Sequence, residues 1–162
     1  DLIDHVDSVS RGFTALARKD LGEHTDADGQ RPAANLGDYW RDSVAKHVRA
    51  LGEAWDDPGA WEGGTSTGDL DLPNELWGKI ALTEMVVHGW DLAKATGQPF
   101  DLPEATLRAC FDHLAGFLPN APVEGLWGPP IEVSANAALL DRTVAITGRD
   151  PEHSARRGSS GR

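Results

Sequence analysis

The sequence LTEMVVHGWDLA, residues 82–93, lies inside a proline-free run of helix-forming residues that extends from about Asn74 to Thr96. Apolar residues cover nearly the whole circumference of a helix drawn through the middle of this run. A helix that is apolar on all sides is typical of a buried core element. We therefore predict one long, buried helix over residues 74–96.

Three ionisable residues, Glu84, His88 and Asp91, fall within this helix at spacings of four and three. Residues three or four apart are neighbours on a helix, so the three side chains share one stripe. Ionisable groups in a core are costly unless they are paired, hydrogen-bonded or bound to a metal. The stripe predicts either a buried Glu–His ion pair with Asp91 as a nearby acceptor, or a metal site that needs a third ligand.

Composition and length indicate one folded domain. The chain has 162 residues, 40% of them hydrophobic, with six tryptophans, which is enough for a single domain with a sizeable core. We predict this domain over residues 1–150. The segment 151–162 is polar and unpatterned, and we predict that it is a disordered tail.

The charge of the chain limits its partners. The net charge of −11 and the pI near 4.8 argue against nucleic acid or an anionic membrane as partner, because both reward cationic patches. No apolar run approaches the length that a bilayer requires, and no signal peptide is visible. The single cysteine, Cys110, excludes an internal disulfide and a Cys-based zinc cluster. A cytoplasmic location is therefore expected.

The rest of the chain also has helical periodicity. We predict amphipathic helices over about 1–19, 36–55, 103–118 and 135–147, separated by loops at 20–35, 58–73 and 119–132. Within the glycine-rich segment 58–73 an extended piece is conceivable around 60–62, but no convincing strand is present. The fold class is thus predicted to be all-α, a helical bundle with long loops.

The third metal ligand is sought among the remaining histidines. His24 and His153 fall in the predicted loop and tail, and His47 and His113 are predicted to be satisfied histidines at the core or its boundary. His5 lies between Leu2 and Val9 on the apolar stripe of the first helix and is predicted to point at the core.

A set of His5, Glu84 and His88 would offer two nitrogens and one carboxylate oxygen. Three protein ligands with one open position are typical of a catalytic metal site. The same donor set matches non-haem iron oxygenases, but these usually use β-scaffolds, which this sequence does not predict.

Three segments carry a resemblance to a known family. They are DLIDHV at 1–6, EMVVHGWDLA at 84–93 and LLDRTVAITGRDP at 139–151. Together they resemble the single-domain actinobacterial metal-binding proteins related to the N-terminal domain of mycothiol-dependent maleylpyruvate isomerase, within the wider DinB-like group of four-helix bundles. The resemblance covers about residues 1–151, and its most specific part is VHGWDLA at 87–93.

The resemblance implies a DinB-like four-helix bundle with an extra C-terminal helix and a divalent metal, usually zinc, held by His5, Glu84 and His88. It also implies a first helix of some thirty residues before Asp1. The absence of an initiator methionine fits that expectation, because Met85 is the only methionine. If that helix is absent from the molecule, one wall of the bundle is exposed and the protein could form a homodimer to cover it.

Two functions remain open. The first is a thiol-dependent transferase or isomerase in which Zn²⁺ lowers the pKa of a small-molecule thiol, mycothiol on the strength of the resemblance, that attacks an electrophilic substrate. Asp91 could orient a ligand imidazole, or instead form a surface salt bridge. The second is a metal-stabilised or metal-free binding or regulatory module without catalysis. Three aromatic residues are candidates for lining a pocket, although core packing is the commoner role: Trp61, Trp77 and Trp90.

Overall fold

The computed structural model describes residues 2–21, 39–68, 70–121 and 127–152. The predicted loop from residue 22 onward, the predicted helix start at 36–38, His24, His153 and most of the predicted tail lie outside these residues. Within them the chain forms five α-helices and one two-stranded sheet, so the predicted all-α class is confirmed. The helices are α1 (Leu2–Arg18), α2 (Trp40–Trp55), α3 (Asn74–Thr96), α4 (Glu104–Phe117) and α5 (Leu139–Ala145).

The chain divides into two compact units, Asp1–Met85 and Val86–Arg162. The boundary falls inside α3, so each unit contains part of this one continuous helix.

In the first unit α1 packs against α2. Two hydroxyl side chains of α1 are buried, and each donates to a carbonyl one turn earlier in the same helix. Ser10 Oγ bonds the oxygen of Val6 at 2.7 Å, and Thr14 Oγ1 bonds the oxygen of Ser10 at 2.6 Å. These local bonds satisfy the hydroxyls, so the face can be buried without an unpaired polar group.

The segment between α2 and α3 differs from the prediction. A 3-10 helix spans Pro58–Trp61, and an antiparallel hairpin follows with strands β1 (Gly64–Thr67) and β2 (Leu70–Pro73). The expectation of no strand was therefore wrong at 64–73, and the extended piece considered at 60–62 was misplaced. Ala60 belongs to the 3-10 helix and is buried.

Asn74 fastens the hairpin to the start of α3. Its side-chain oxygen accepts a bond from Thr65 Oγ1 at 2.6 Å, and its Nδ2 donates to the oxygen of Glu62 at 2.9 Å. Trp77 Nε1 donates to the oxygen of Thr65 at 2.9 Å. The hairpin is thereby held against the first turn of α3. The helix α3 itself begins and ends at the predicted residues.

In the second unit α4 packs against α5. Leu107, Cys110 and Leu114 form the buried stripe of α4. The last helix is shorter than the predicted 135–147. Ser134 precedes it in a turn, where its Oγ accepts a hydrogen bond from the nitrogen of Asn136 at 3.2 Å and its carbonyl oxygen accepts one from the nitrogen of Ala137 at 2.9 Å. Such local bonds compete with helix formation, and α5 begins only after Ala138. None of the described helices is both long and apolar enough to cross a membrane.

Candidate metal centre

His5 and Glu84 approach each other within the first unit. His5 lies on α1 and Glu84 on α3, and His5 Nε2 lies 3.1 Å from Glu84 Oε2. The prediction that His5 points at the core needs correction, because 48% of its side chain is exposed, compared with 10% for Glu84. The imidazole lies at the edge of the core, with its Nε2 turned toward the buried carboxylate.

His88 follows Glu84 by one turn of the same helix. The two side chains therefore share a face of α3 by helix geometry alone. One ligand atom from each of His5, Glu84 and His88 lies within 4.8 Å of the other two. The sequence predicted that these three side chains form one metal site, and this assignment remains a prediction.

The donor set fits a divalent ion. Two imidazole nitrogens and one carboxylate oxygen are ligands that zinc accepts, and three protein ligands leave one position for water or a substrate. A tetrahedral zinc ion with bonds of about 2.0–2.1 Å separates its ligand atoms by about 3.3 Å. The 3.1 Å between His5 Nε2 and Glu84 Oε2 is compatible with both atoms binding one ion, and equally with a direct hydrogen bond.

Asp91 contacts His88 in the second unit. Its Oδ2 lies 3.0 Å from His88 Nδ1. The same carboxylate receives two bonds from Arg149, from Nε to Oδ1 at 3.3 Å and from Nη2 to Oδ2 at 2.9 Å. Burial raises the pKa of Asp91, but hydrogen bonds from His88 and Arg149 and the positive charge of Arg149 outweigh it. The net result is a lowered pKa for Asp91, so the carboxyl is ionised at neutral pH.

Two residues beside His88 escaped the sequence reasoning. The ring of Trp127 lies 5.5 Å from the His88 ring, centroid to centroid, and the guanidinium carbon of Arg149 lies 4.8 Å from the centroid of Trp127. Arg149 belongs to the LLDRTVAITGRDP segment that carried the family resemblance, and this was the one available signal. Trp127 lies in a proline- and glycine-rich stretch without periodicity, and no pattern pointed to it.

The three tryptophans considered as pocket-lining residues make ring contacts within their own units. Trp61 packs edge-on against Trp55 with ring centroids 5.1 Å apart, and its Nε1 donates to the oxygen of Trp55. Trp77 is buried against Phe13. Trp90 is buried in the second unit, with the Lys94 amine 5.2 Å from its ring centroid.

A groove of about 530 Å³ begins at His5 in the first unit. Along α1 its lining is mostly apolar but includes His5 and Ser8, at the hairpin it carries two hydroxyls, and none of the three candidate tryptophans contributes to it. The lining residues are His5, Ser8, Val9, Gly12, Phe13, Ala15, Leu16, Leu21, Ser66, Thr67 and Gly68. His5 is the only ionisable side chain among them.

The other described histidines have partners of their own. His47 Nδ1 lies 2.7 Å from Asp7 Oδ1, which links α2 to α1. His113 stacks on Phe117 with ring centroids 5.0 Å apart. Both agree with the prediction of satisfied histidines outside the metal set.

The family model described as "Mycothiol maleylpyruvate isomerase N-terminal domain" matches residues 1–93. This range contains His5, Glu84 and His88, and it ends two residues after Asp91. A search of curated proteins and a search of solved structures gave no match.

Proposed function

Because the chain belongs to the mycothiol maleylpyruvate isomerase N-terminal domain family, we propose that it binds a divalent metal ion, Zn²⁺ by preference, and catalyses a thiol-dependent transfer or isomerisation. The observation that carries the proposal is the set of His5, Glu84 and His88, whose ligand atoms lie within 4.8 Å of one another. The thiol that the family name suggests is mycothiol.

In this proposal the chain's own residues do three things. Glu84 and the two histidines hold the ion and leave one position open. Asp91 accepts from His88 Nδ1 and keeps the other ring nitrogen directed at the site. The ion, when bound, supplies a lowered pKa for a thiol at neutral pH, and a thiolate is the nucleophilic form of sulfur.

The groove beside His5 supports a place for the electrophilic substrate. Its described lining carries neither lysine nor arginine, nor any carboxylate. A dianionic substrate would find neither lysine nor arginine in this described lining, whereas an uncharged electrophile would lie on the apolar residues of α1 and could accept a hydrogen bond from the Thr67 hydroxyl. The Ser66 hydroxyl already donates to Asp71 Oδ1 at 3.0 Å. We therefore expect neutral electrophiles to be preferred over dicarboxylates.

Metal analysis by mass spectrometry tests the site. Purified protein should contain about one equivalent of metal, and His5→Ala, Glu84→Gln and His88→Ala should each lose most of it. His47→Ala is the matched control, because His47 is also paired with a carboxylate but lies outside the set. Stoichiometric metal in His88→Ala would remove the assignment.

A thiol-transfer assay tests the reaction. Mycothiol with a neutral electrophile, monobromobimane, should be conjugated faster in the presence of the zinc-loaded protein, and a chelator should abolish the acceleration. Isomerisation of maleylpyruvate, a dicarboxylate, is measured in parallel and should be slower. Unchanged conjugation after complete removal of zinc would disprove the proposed chemistry.

The second candidate is a binding or regulatory module without catalysis. The close His5–Glu84 contact is compatible with it, because a buried carboxylate within hydrogen-bond distance of an imidazole has a partner in that imidazole. Under this hypothesis, chelation would leave the protein folded and no thiol transfer would be detected at any metal loading. A cytoplasmic location, the absence of a nucleic-acid or membrane partner, and pairing with a second copy remain predictions.

A further inference from the structure

Arg149 makes a forked contact with Asp91, although 58 residues separate them. Nε approaches Oδ1 at 3.3 Å and Nη2 approaches Oδ2 at 2.9 Å. A two-pronged guanidinium–carboxylate contact is directional as well as strong, because both planar groups must lie edge to edge. The Asp91 carboxylate is thereby prevented from rotating about its terminal bond.

The arginine is itself held in place. Its Nη1 donates to the oxygen of Thr147 at 3.0 Å, and its guanidinium lies over the ring of Trp127. The backbone before it is fixed by Gly148, which has φ +83 and where an added Cβ would come within 2.8 Å of Gly128. The nitrogen of Arg149 donates to the oxygen of Val144 at 3.1 Å. These contacts leave few other conformations open to the Arg149 side chain.

Asp91 uses Oδ2 for His88 as well as for Arg149. An ionised carboxylate can only accept hydrogen bonds, so the His88 nitrogen that faces it must carry a proton. In a neutral imidazole the proton on Nδ1 leaves Nε2 with the lone pair. The orientation of the carboxylate therefore decides which nitrogen of His88 is the electron-pair donor and where that nitrogen points.

We propose that Arg149 is a positioning residue for His88: by clamping Asp91 it fixes His88 in the tautomer with the proton on Nδ1 and holds the ring against Trp127. The effect of this clamp on metal affinity rests on the proposed function, whereas its effect on the His88 tautomer does not. Without the clamp, Asp91 can leave His88, and the imidazole then samples both tautomers and more than one ring orientation.

The test uses ¹⁵N-labelled full-length protein without metal, at a pH where its imidazoles are neutral. Ring nitrogen shifts and their couplings to ring protons identify the tautomer of each histidine. Wild type and Arg142→Met should show His88 in the Nδ1–H form, because Arg142 lies over Phe111 in the same unit and serves as the matched control. Arg149→Met and Asp91→Asn should both show a tautomer mixture at His88.

Zinc affinity is measured on the same variants by competition with a chromophoric chelator. We expect about a tenfold loss in Arg149→Met, as is typical when the partner of a metal-ligating histidine is disturbed. Arg149→Lys keeps the charge but not the fork, so it should recover only part of the loss. It also serves as the folded alternative if Arg149→Met does not give a cooperative melt.

The outcomes separate the two proposals. An unaltered His88 tautomer and unaltered zinc affinity in folded Arg149→Met or Arg149→Lys would overturn the positioning role, and Arg149 would then be a structural residue that changes only the melting temperature. A tautomer change in Arg149→Met together with no zinc binding by wild type would instead support the clamp and overturn the proposed metal function.

Discussion

His5 Nε2 and Glu84 Oε2 lie 3.1 Å apart, although 79 residues separate them in the chain. Glu84 is buried, whereas about half of the His5 side chain is exposed. Burial of the carboxylate strengthens its electrostatic attraction to a cation. In the proposed metal site, Glu84 would be the buried ligand and His5 the exposed one.

Zinc should therefore stabilise the fold. A ligand that binds only the native state at about 100 times its dissociation constant adds about 2.7 kcal/mol to the free energy of unfolding. For a protein of this size we expect the melting temperature to rise by several degrees when zinc is added to metal-free protein. Differential scanning calorimetry with and without zinc measures the shift.

Glu84→Gln provides the comparison for this experiment. The amide keeps the shape of the side chain but removes the negative charge, so zinc should leave its melting temperature unchanged. An equal shift in wild type and Glu84→Gln would mean that zinc binds elsewhere on this acidic chain.

The glycines of α2 and α3 should respond oppositely to alanine. Gly→Ala inside an exposed helix stabilises by about 0.5–1 kcal/mol, and we expect this at Gly52, where an added Cβ meets nothing within 4 Å. At Gly78 the added Cβ would lie 2.6 Å from Cζ3 of Trp61 and 2.8 Å from Cζ3 of Trp55. Because rigid aromatic rings cannot yield cheaply, Gly78→Ala should cost about 1–3 kcal/mol.

Urea denaturation of both variants measures these changes. Tryptophan fluorescence also reports the packing of Trp55 and Trp61, since it should change in Gly78→Ala and not in Gly52→Ala. Similar stabilisation by both substitutions would show that the Trp55–Trp61 pair does not fill the space over Gly78.

The sequence was sufficient for α3 because most local signals agree there. The run from Asn74 to Thr96 contains no proline, its two interior glycines, Gly78 and Gly89, are isolated, and Gly97 with φ +67 ends it. The spacing of Glu84 and His88 then fixes their shared face without tertiary information. The class of the fold and the approach of His5 to Glu84 could both be predicted.

The hairpin could not be predicted because its strands carry few strand-forming residues. The first strand reads GTST, in which only Thr65 and Thr67 are typical of strands, and the second reads LDLP, which has no β-branched or aromatic residue. The hairpin is supported by two hydrogen bonds of the Asn74 side chain, which lies outside both strands: it accepts from Thr65 and donates to the oxygen of Glu62. The exposure of His5 was missed for a related reason, because periodicity identifies a face but not how completely its edge is covered.

Arg149 could not be assigned to Asp91 from the sequence. A lone arginine after a glycine has no periodicity, and the contact depends on the turn that follows α5. That turn is set by Gly148 with φ +83 and by its close approach to Gly128. The contact between the guanidinium and the carboxylate follows only from the tertiary fold.

Alanine at Gly148 should therefore be more costly than alanine at Gly97. Both glycines have positive φ, +83 and +67, which costs a residue with a Cβ about 1–2 kcal/mol. At Gly97 nothing lies within 4 Å of the added atom, whereas at Gly148 it would come within 2.8 Å of the Gly128 backbone. The difference between the two unfolding free energies, measured in urea, isolates the backbone contact. Equal costs would contradict it.

Asp91 should contribute to the pH dependence of stability. Its pKa in the folded protein is lowered, against the raising effect of burial, by hydrogen bonds from His88 and Arg149. A group with a lowered folded pKa stabilises the native state above its unfolded pKa of about 3.9 and loses that contribution as the pH falls through the folded value. Urea denaturation of the metal-free protein, from neutral pH down to the acid limit of folding, measures this contribution.

Asp91→Asn should be less stable than wild type at neutral pH, by about 1–3 kcal/mol, because Arg149 loses a charged partner. Its stability should then decline less steeply in acid, so that the two curves converge. Arg149→Met removes one cause of the lowered pKa and should converge with wild type in the same direction. Parallel curves for wild type and Asp91→Asn would show that the carboxyl of Asp91 has the same affinity for protons in the folded and unfolded states.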